Sequence, residues 1–183
     1  MSGVSSVVPY ELLRQIEYRS QTRALGLPQQ IEVRRTWSGI GFRLGDTRLV
    51  APMGEVAEIL EYPSLTRVPS AHTWVKGIAN IRGSLLPVID MKGFLGAKQD
   101  KPQRRSRVLV VQVDELSSGL VVDEVYGLRH FFEEEKKQDM RELDELVQVF
   151  LDGGYRQGEV NWGVFSLFRL IAHPRFKEVS ARS

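Results

Sequence analysis

Trp74-Val75-Lys76-Gly77-Ile78-Ala79-Asn80-Ile81-Arg82-Gly83-Ser84-Leu85-Leu86-Pro87-Val88-Ile89-Asp90 decides how the rest of the chain is read. Two short apolar runs, Ile78–Ile81 and Leu85–Ile89, flank the polar triplet Arg82-Gly83-Ser84. Runs this short, broken by a glycine-bearing triplet, predict strand, turn, strand rather than helix. Gly83 supplies the positive φ that a tight turn needs, and Asn80 is placed to bridge it. Gly77 reads the same way, as backbone geometry. Pro87 has no N–H to donate, which predicts an edge strand or a bulge. A free edge is also where a partner can add. Val88 and Ile89 read as core.

Working outward, the pattern repeats. Upstream, Ser38–Arg43 and Thr47–Ala51 are short apolar runs separated by Leu44-Gly45-Asp46, a hairpin signal. Pro52–Gly54 breaks the pattern, Glu55–Leu60 fits a further strand or a helical turn, and Leu65–Val68 is a brief extended piece. Downstream, Val108–Val113 is a β-branched run that predicts a buried strand, followed by Gly119–Val122 and Glu124–Arg129. Glu133–Glu145 is charged on most sides and reads as a solvated helix or loop. Val147–Leu151 and Asn161–Ser166 read as late strands joined across Asp152-Gly153-Gly154, and Leu167–His173 as a closing helix stopped by Pro174. At the other end Tyr10, Leu13 and Ile16 recur at helical spacing, with Leu12 widening the face, so a helix is predicted from about Pro9 to Ala24. About ten short strands with helices near the ends predict a mainly β protein of sandwich or barrel type. The expected organisation is a helical extension and linker over 1–36, a β domain over 37–175 and a tail over 176–183. Lys92–Ser106 is expected to join two β halves.

Composition removes whole classes of function. The 183 residues contain no cysteine, so disulfides, thiolate metal sites and thiol nucleophiles are excluded. Lys and Arg number 25 against 23 Asp and Glu, so the pI of 9.0 carries little signal for nucleic acid. No basic start precedes an apolar core at the N-terminus, and no apolar run approaches the ~20 residues that span a bilayer. A soluble cytoplasmic protein, not inserted in a membrane, is expected. His72, His130 and His173 are too scattered to suggest a metal site, and no cofactor is expected. Neither a nucleophile elbow nor a phosphate loop is present. Asp90, Asp114, Asp123 and Glu124 fall near strand ends, where acids form turns more often than they catalyse. An enzyme is not expected.

Several separated motifs agree on one family. Val56-Ala57-Glu58-Ile59, Leu65–Pro69, the Trp74–Gly83 stretch, Leu86–Asp90 and Gly119–Val125 resemble, in order and spacing, the signatures of CheW-like coupling domains. The resemblance covers about Trp37 to Ile171. The N-terminal extension, Trp37–Phe42, Gly93–Gly96, Trp162–Ser166 and His173-Pro174 are similar to the PilI-type members, which serve the chemosensory system controlling type IV pili and twitching. The resemblance implies two five-stranded, SH3-like β-barrel lobes around a shared apolar core. It also implies a non-catalytic adaptor with two partners: the regulatory domain of a CheA-like histidine kinase, and the helical hairpin tip of a chemoreceptor. The alternative within the class is a general swimming adaptor with flagellar output; outside it, an SH3-like nucleic-acid module.

Carried onto this chain, the resemblance points to Glu58, Ile59, Arg82 and Leu120 for the receptor and to Pro52, Met53 and Glu55 for the kinase. Arg82 is expected at the turn, its planar guanidinium paired with Glu58. An exposed ion pair of this kind contributes under ~1 kcal/mol, so any importance it has lies in binding. Val121 and Val122 read as plain core. So do Trp37 and Trp162, whereas Trp74, beside polar neighbours, is the tryptophan suited to anchoring an interface. Lys98–Arg107 reads as a solvated loop, with an electrostatic patch as its functional alternative. The helix around Leu12–Ile16 is a candidate third docking element.

Overall fold

A computed structural model describes residues 35–176. The predicted helix at Pro9–Ala24 and the residues after Phe176 lie outside the described residues. The described residues open with a hairpin, β1 (Thr36–Leu44) and β2 (Thr47–Pro52), turning at Gly45-Asp46, within the triplet the sequence marks as a turn. A 3-10 turn (Met53–Glu55) leads to β3 (Glu58–Glu61). Then come β4 (Val75–Ile81), β5 (Ser84–Asp90), the short helix α1 (Met91–Leu95), β6 (Arg107–Val113) and β7 (Leu116–Val122). After β8 (Glu124–Phe132) a second 3-10 turn (Glu133–Glu135) precedes β9 (Lys136–Lys137), α2 (Glu145–Gln148), β10 (Leu151–Gln157), β11 (Val160–Phe165) and α3 (Leu167–Ala172).

The strands form two sheets, ordered β8-β1-β2-β11-β10-β9 and β3-β6-β7-β5-β4. The protein is mainly β, as expected. The first sheet has six strands rather than five, because two residues of the charged segment add as β9. The organisation in sequence also differs from the expectation. Lys92–Ser106 joins β5 to β6 within the second sheet and does not link two halves. The first sheet is assembled from both ends of the described chain, with the second inserted between them. The chain passes between the sheets at 53–57 and again at Asp123.

Strand alternation explains how these sheets share their cores. Leu49 and Ala51 face one apolar cluster while Val50 between them faces another; Leu120 and Val122 likewise flank Val121. The largest cluster lies between the sheets and takes Phe42, Leu109, Leu120, Phe165 and α3's Leu170. Ala79, Leu86, Val88, Val108 and Val121 fill the inner face of the second sheet, and Val50, Phe131, Tyr155 and Trp162 that of the first. Strands buried on both faces read as unbroken apolar runs, which is why Val108–Val111 carries no alternation. In the second sheet's interior a Cβ on Gly119 would lie 2.7 Å from Val108 Cγ1, so only glycine fits there.

Four local expectations are corrected. Pro87 is on an interior strand, between β4 and β7. It is tolerated because its neighbour Ile78 exchanges both backbone bonds with Thr66 instead, and because the ladder to β7 starts one residue later, at Val88. Val147–Phe150 is not a strand: Asp144 caps α2 through Leu146 N, and β10 begins at Leu151. Asp152-Gly153-Gly154 is a bulge inside β10, with Gly153 at φ 84, while the turn falls at Gly158-Glu159. Finally Phe176, placed in the tail, is buried and packs edge-on against Phe94 at 5.5 Å.

Candidate functional site

The β4–β5 turn is a two-residue loop with Ile81 opposite Ser84 and both central residues at positive φ, 51 for Arg82 and 86 for Gly83. That is the primed geometry whose twist suits a hairpin. Asn80 Oδ1 accepts from Gly83 N at 2.9 Å, as the sequence predicts. Positive φ is free for Gly83 but costs a branched-Cβ-free residue such as Arg about 1 kcal/mol. Arg82 therefore occupies a position that Asn or Gly would fill more stably.

Its side chain is 79% exposed and donates from Nη2 to Glu58 Oε1 at 2.7 Å. Glu58 starts β3 at one edge of the second sheet, and Arg82 lies beside β4 at the other. A contact between opposite edges requires the sheet to curl on itself, as a barrel does. The Thr66–Ile78 bridge occupies part of the β4 edge. Ile59 alternates outward from Glu58 and is half exposed. Sequence reasoning missed Leu85, which follows the turn and is 71% exposed; nothing in the apolar run it belongs to marks which residue faces out. Leu120 is corrected: it is fully buried between the sheets, so it offers nothing to a partner.

The turn after β2 divides its three candidates. Met53 is 53% exposed and Pro52 half-buried. Glu55 is half-buried and serves as an internal cap. Its carboxylate accepts from Ser166 Oγ at 3.0 Å, Leu167 N at 2.5 Å and Phe168 N at 3.2 Å. The two amides are orphan donors at the start of α3, which a carboxylate satisfies well. The cap brings the exposed ring of Phe168 to the same region as Met53. No local pattern could have announced that pairing across more than a hundred residues.

A polar cleft of about 240 Å³ lies where the first sheet's β1–β2 turn meets the loop after α1. Lys92 is its hub, bonded to Asp100 Oδ2 at 2.7 Å and Asp123 Oδ1 at 2.9 Å. Burial opposes its charge, but the two carboxylates prevail and hold its pKa above the ordinary lysine value; the same contact holds Asp100 below the usual carboxylate range. Asp123 also accepts from Gly45 N at 2.6 Å, so this network ties the second crossing to the first sheet. Four of the cleft's charges, Arg43, Lys92, Asp100 and Asp123, are paired with one another, which suits a brace better than a catalytic centre. Trp74 is half-buried, stacked on His72 at 4.3 Å with Arg175 over its ring at 5.0 Å. Among the described residues no helix is long and apolar enough to cross a membrane, and no group of three His, Asp or Glu side chains is arranged to hold a metal.

Comparison with known proteins gives a consistent answer. A family model described as the CheW-like domain matches residues 38–175. The chain is 44% identical over 180 residues to protein PilI of Pseudomonas aeruginosa, covering 98% of this chain and 99% of that one. It is 37% identical over 86 residues to chemotaxis protein CheW of Rhizobium meliloti, covering 47% of this chain and 56% of the other. Among solved structures it resembles the scaffolding protein TtCheW from Thermoanaerobacter tengcongensis with a TM-score of 0.66 at 22% identity, covering 76% of this chain and 95% of that one. That last likeness bears on the fold alone.

Proposed function

The chain belongs to the family of CheW-like domains, and from that premise we propose that it is a non-catalytic cytoplasmic adaptor. It couples the hairpin tip of a chemoreceptor to the regulatory domain of a CheA-like histidine kinase, in a chemosensory system that controls type IV pili. The near full-length likeness to a PilI protein favours pilus over flagellar output. Such an adaptor transfers no group; it passes on a bias between conformations.

The observation that carries the reading is Arg82. An exposed arginine kept at positive φ is a cost with no packing return, which binding a partner explains. Glu58 holds the guanidinium on one side and leaves donors facing solvent. Ile59 and Leu85 are exposed on strands of the same sheet and, in this reading, are the apolar contacts that accompany the Arg82 charge toward a helical hairpin. Pro52 and Met53, with Phe168 beside them, form the kinase-facing surface; methionine suits adaptable contacts.

The test is binding of the purified protein to a soluble receptor-tip fragment and, separately, to the kinase regulatory domain. Arg82→Glu is expected to weaken the first and spare the second, and Met53→Glu the reverse, with both variants folded. A wild-type protein that binds neither partner would refute the adaptor reading.

A further inference from the structure

At the end of the first sheet where β1 finishes and β2, β8 and β11 begin, two arginines converge on one indole. Arg129 Cζ lies 5.0 Å from the Trp162 ring centroid, and Arg48 Cζ lies 5.8 Å from the same ring and 5.8 Å from that of Tyr126. Among the described residues neither arginine has a carboxylate partner, whereas Arg43, on the neighbouring strand, contacts both Asp123 and Glu124. Two cations drawn to one ring without an acid between them repel each other, and covering Trp162 would need only an apolar stem.

The site is held in place rather than left to chance. Gly41 makes room for Arg129: a Cβ there would lie 2.7 Å from Arg129 Cγ. Gln157 Oε1 accepts from Arg129 Nη2 at 3.3 Å, and Gln157 is itself fixed by donating to His130 O at 2.9 Å. Arg129 is thus oriented by a gap, a ring and an amide, and among the described residues most of its donors remain unspent. Arg48 reaches the same ring from β2 and is exposed. Stacking on aromatic faces orients guanidinium planes while leaving their edges available for planar anions.

We propose that Arg48 and Arg129, on their Trp162–Tyr126 platform, form a second docking surface that takes carboxylate side chains from an acidic segment of a partner protein. It is built on the first sheet and is separate from the turn at Arg82 on the second. Two converging forks suit closely spaced Asp or Glu side chains. They are too few to track a nucleic-acid backbone, for which a longer basic stripe is needed.

The experiment uses the full chain and a fluorescein-labelled oligo-glutamate peptide, followed by anisotropy at low ionic strength, with Trp emission as a second readout. The wild type is expected to bind and to lose affinity as salt rises. Arg48→Gln with Arg129→Gln should weaken binding about tenfold. A control with Lys101→Gln, Arg104→Gln and Arg105→Gln, in the other basic stretch, should bind like the wild type. Should the double variant unfold, as judged by its melting curve, Arg48→Gln alone supplies the test, because that side chain is exposed. Equal binding by the folded arginine variants, or loss of binding in the loop control alone, overturns the proposal. So does tighter binding of a single-stranded oligonucleotide of the same charge, because it assigns the surface to nucleic acid. Normal binding of receptor and kinase fragments by the arginine variants keeps this result distinct from the adaptor test.

Discussion

Arg82→Asn separates stability from function at the β4–β5 turn. Asn tolerates the left-handed region, and Asn-Gly is a favoured pair for a primed two-residue turn, so relief of the Arg82 backbone is worth roughly 1 kcal/mol. Against this stands the Arg82–Glu58 ion pair. With the arginine side chain 79% exposed, its loss is expected to cost about 0.5 kcal/mol or less. The net effect is a variant about 0.5 kcal/mol more stable than the wild type. With a urea m-value of about 2 kcal/mol/M, the unfolding midpoint rises by roughly 0.25 M at unchanged slope. The same variant should bind the receptor-tip fragment about tenfold more weakly, as expected for a lost charge-assisted contact. Arg82→Lys keeps the charge and the backbone cost but loses the fork; it should be neither stabilised nor fully competent. A destabilisation above about 1 kcal/mol would show that the edge-to-edge pair helps close the second sheet, and the argument from backbone cost would fail. Unchanged receptor binding in a stabilised variant would remove Arg82 from the binding surface altogether.

Other outcomes follow from the packing. Glu55→Ala strips three donors of their acceptor at the start of α3, and should lower stability by about 1–3 kcal/mol in urea unfolding, while Met53→Ala leaves it nearly unchanged. A Glu55→Ala protein of wild-type stability would return that residue to the kinase surface. Gly119→Ala forces a methyl against Val108 and Leu86 inside the second sheet, and a loss of about 1–3 kcal/mol by thermal or urea unfolding is expected. The Lys92 network adds a pH dependence. Its folded pKa is raised above 10.5, so its contribution to stability is complete below that value and is lost as pH climbs through the higher folded value. Melting temperature should therefore fall more steeply above pH 10.5 in the wild type than in Lys92→Gln, and identical pH profiles would remove Lys92 as the brace.

The parts legible in the sequence share a physical cause. Gly45-Asp46, Arg82-Gly83 and the terminal Leu167–Ala172 helix are set by residues within a few positions of each other. Glycine at positive φ and a side-chain bridge from Asn80 are local effects, and the structure has both where the pattern predicts; the Ser166 cap on the closing helix is equally local. Two errors came from local signals with more than one meaning. Asp152-Gly153-Gly154 carries the composition of a turn, yet the same freedom serves a bulge. Pro87 forbids one hydrogen bond, and the sheet simply asks for none there.

At the binding surfaces the division is sharper. The pairing of Glu58 with Arg82 came from family resemblance, since nothing in the spacing of two residues on opposite sheet edges requires them to meet. Glu55 looked like a surface acid until Ser166 and α3 arrived beside it, and Leu120 looked like groove lining until both sheets closed over it. Alternation and turn chemistry, written in neighbouring residues, are enough to specify a mainly β chain and the positions of most of its strands. Which strands pair, that the first sheet draws on both ends of the described chain, and which apolar or charged side chains remain open to a partner are long-range outcomes. They depend on cores formed between segments far apart in sequence, and burial is a property of that assembly rather than of any residue within it.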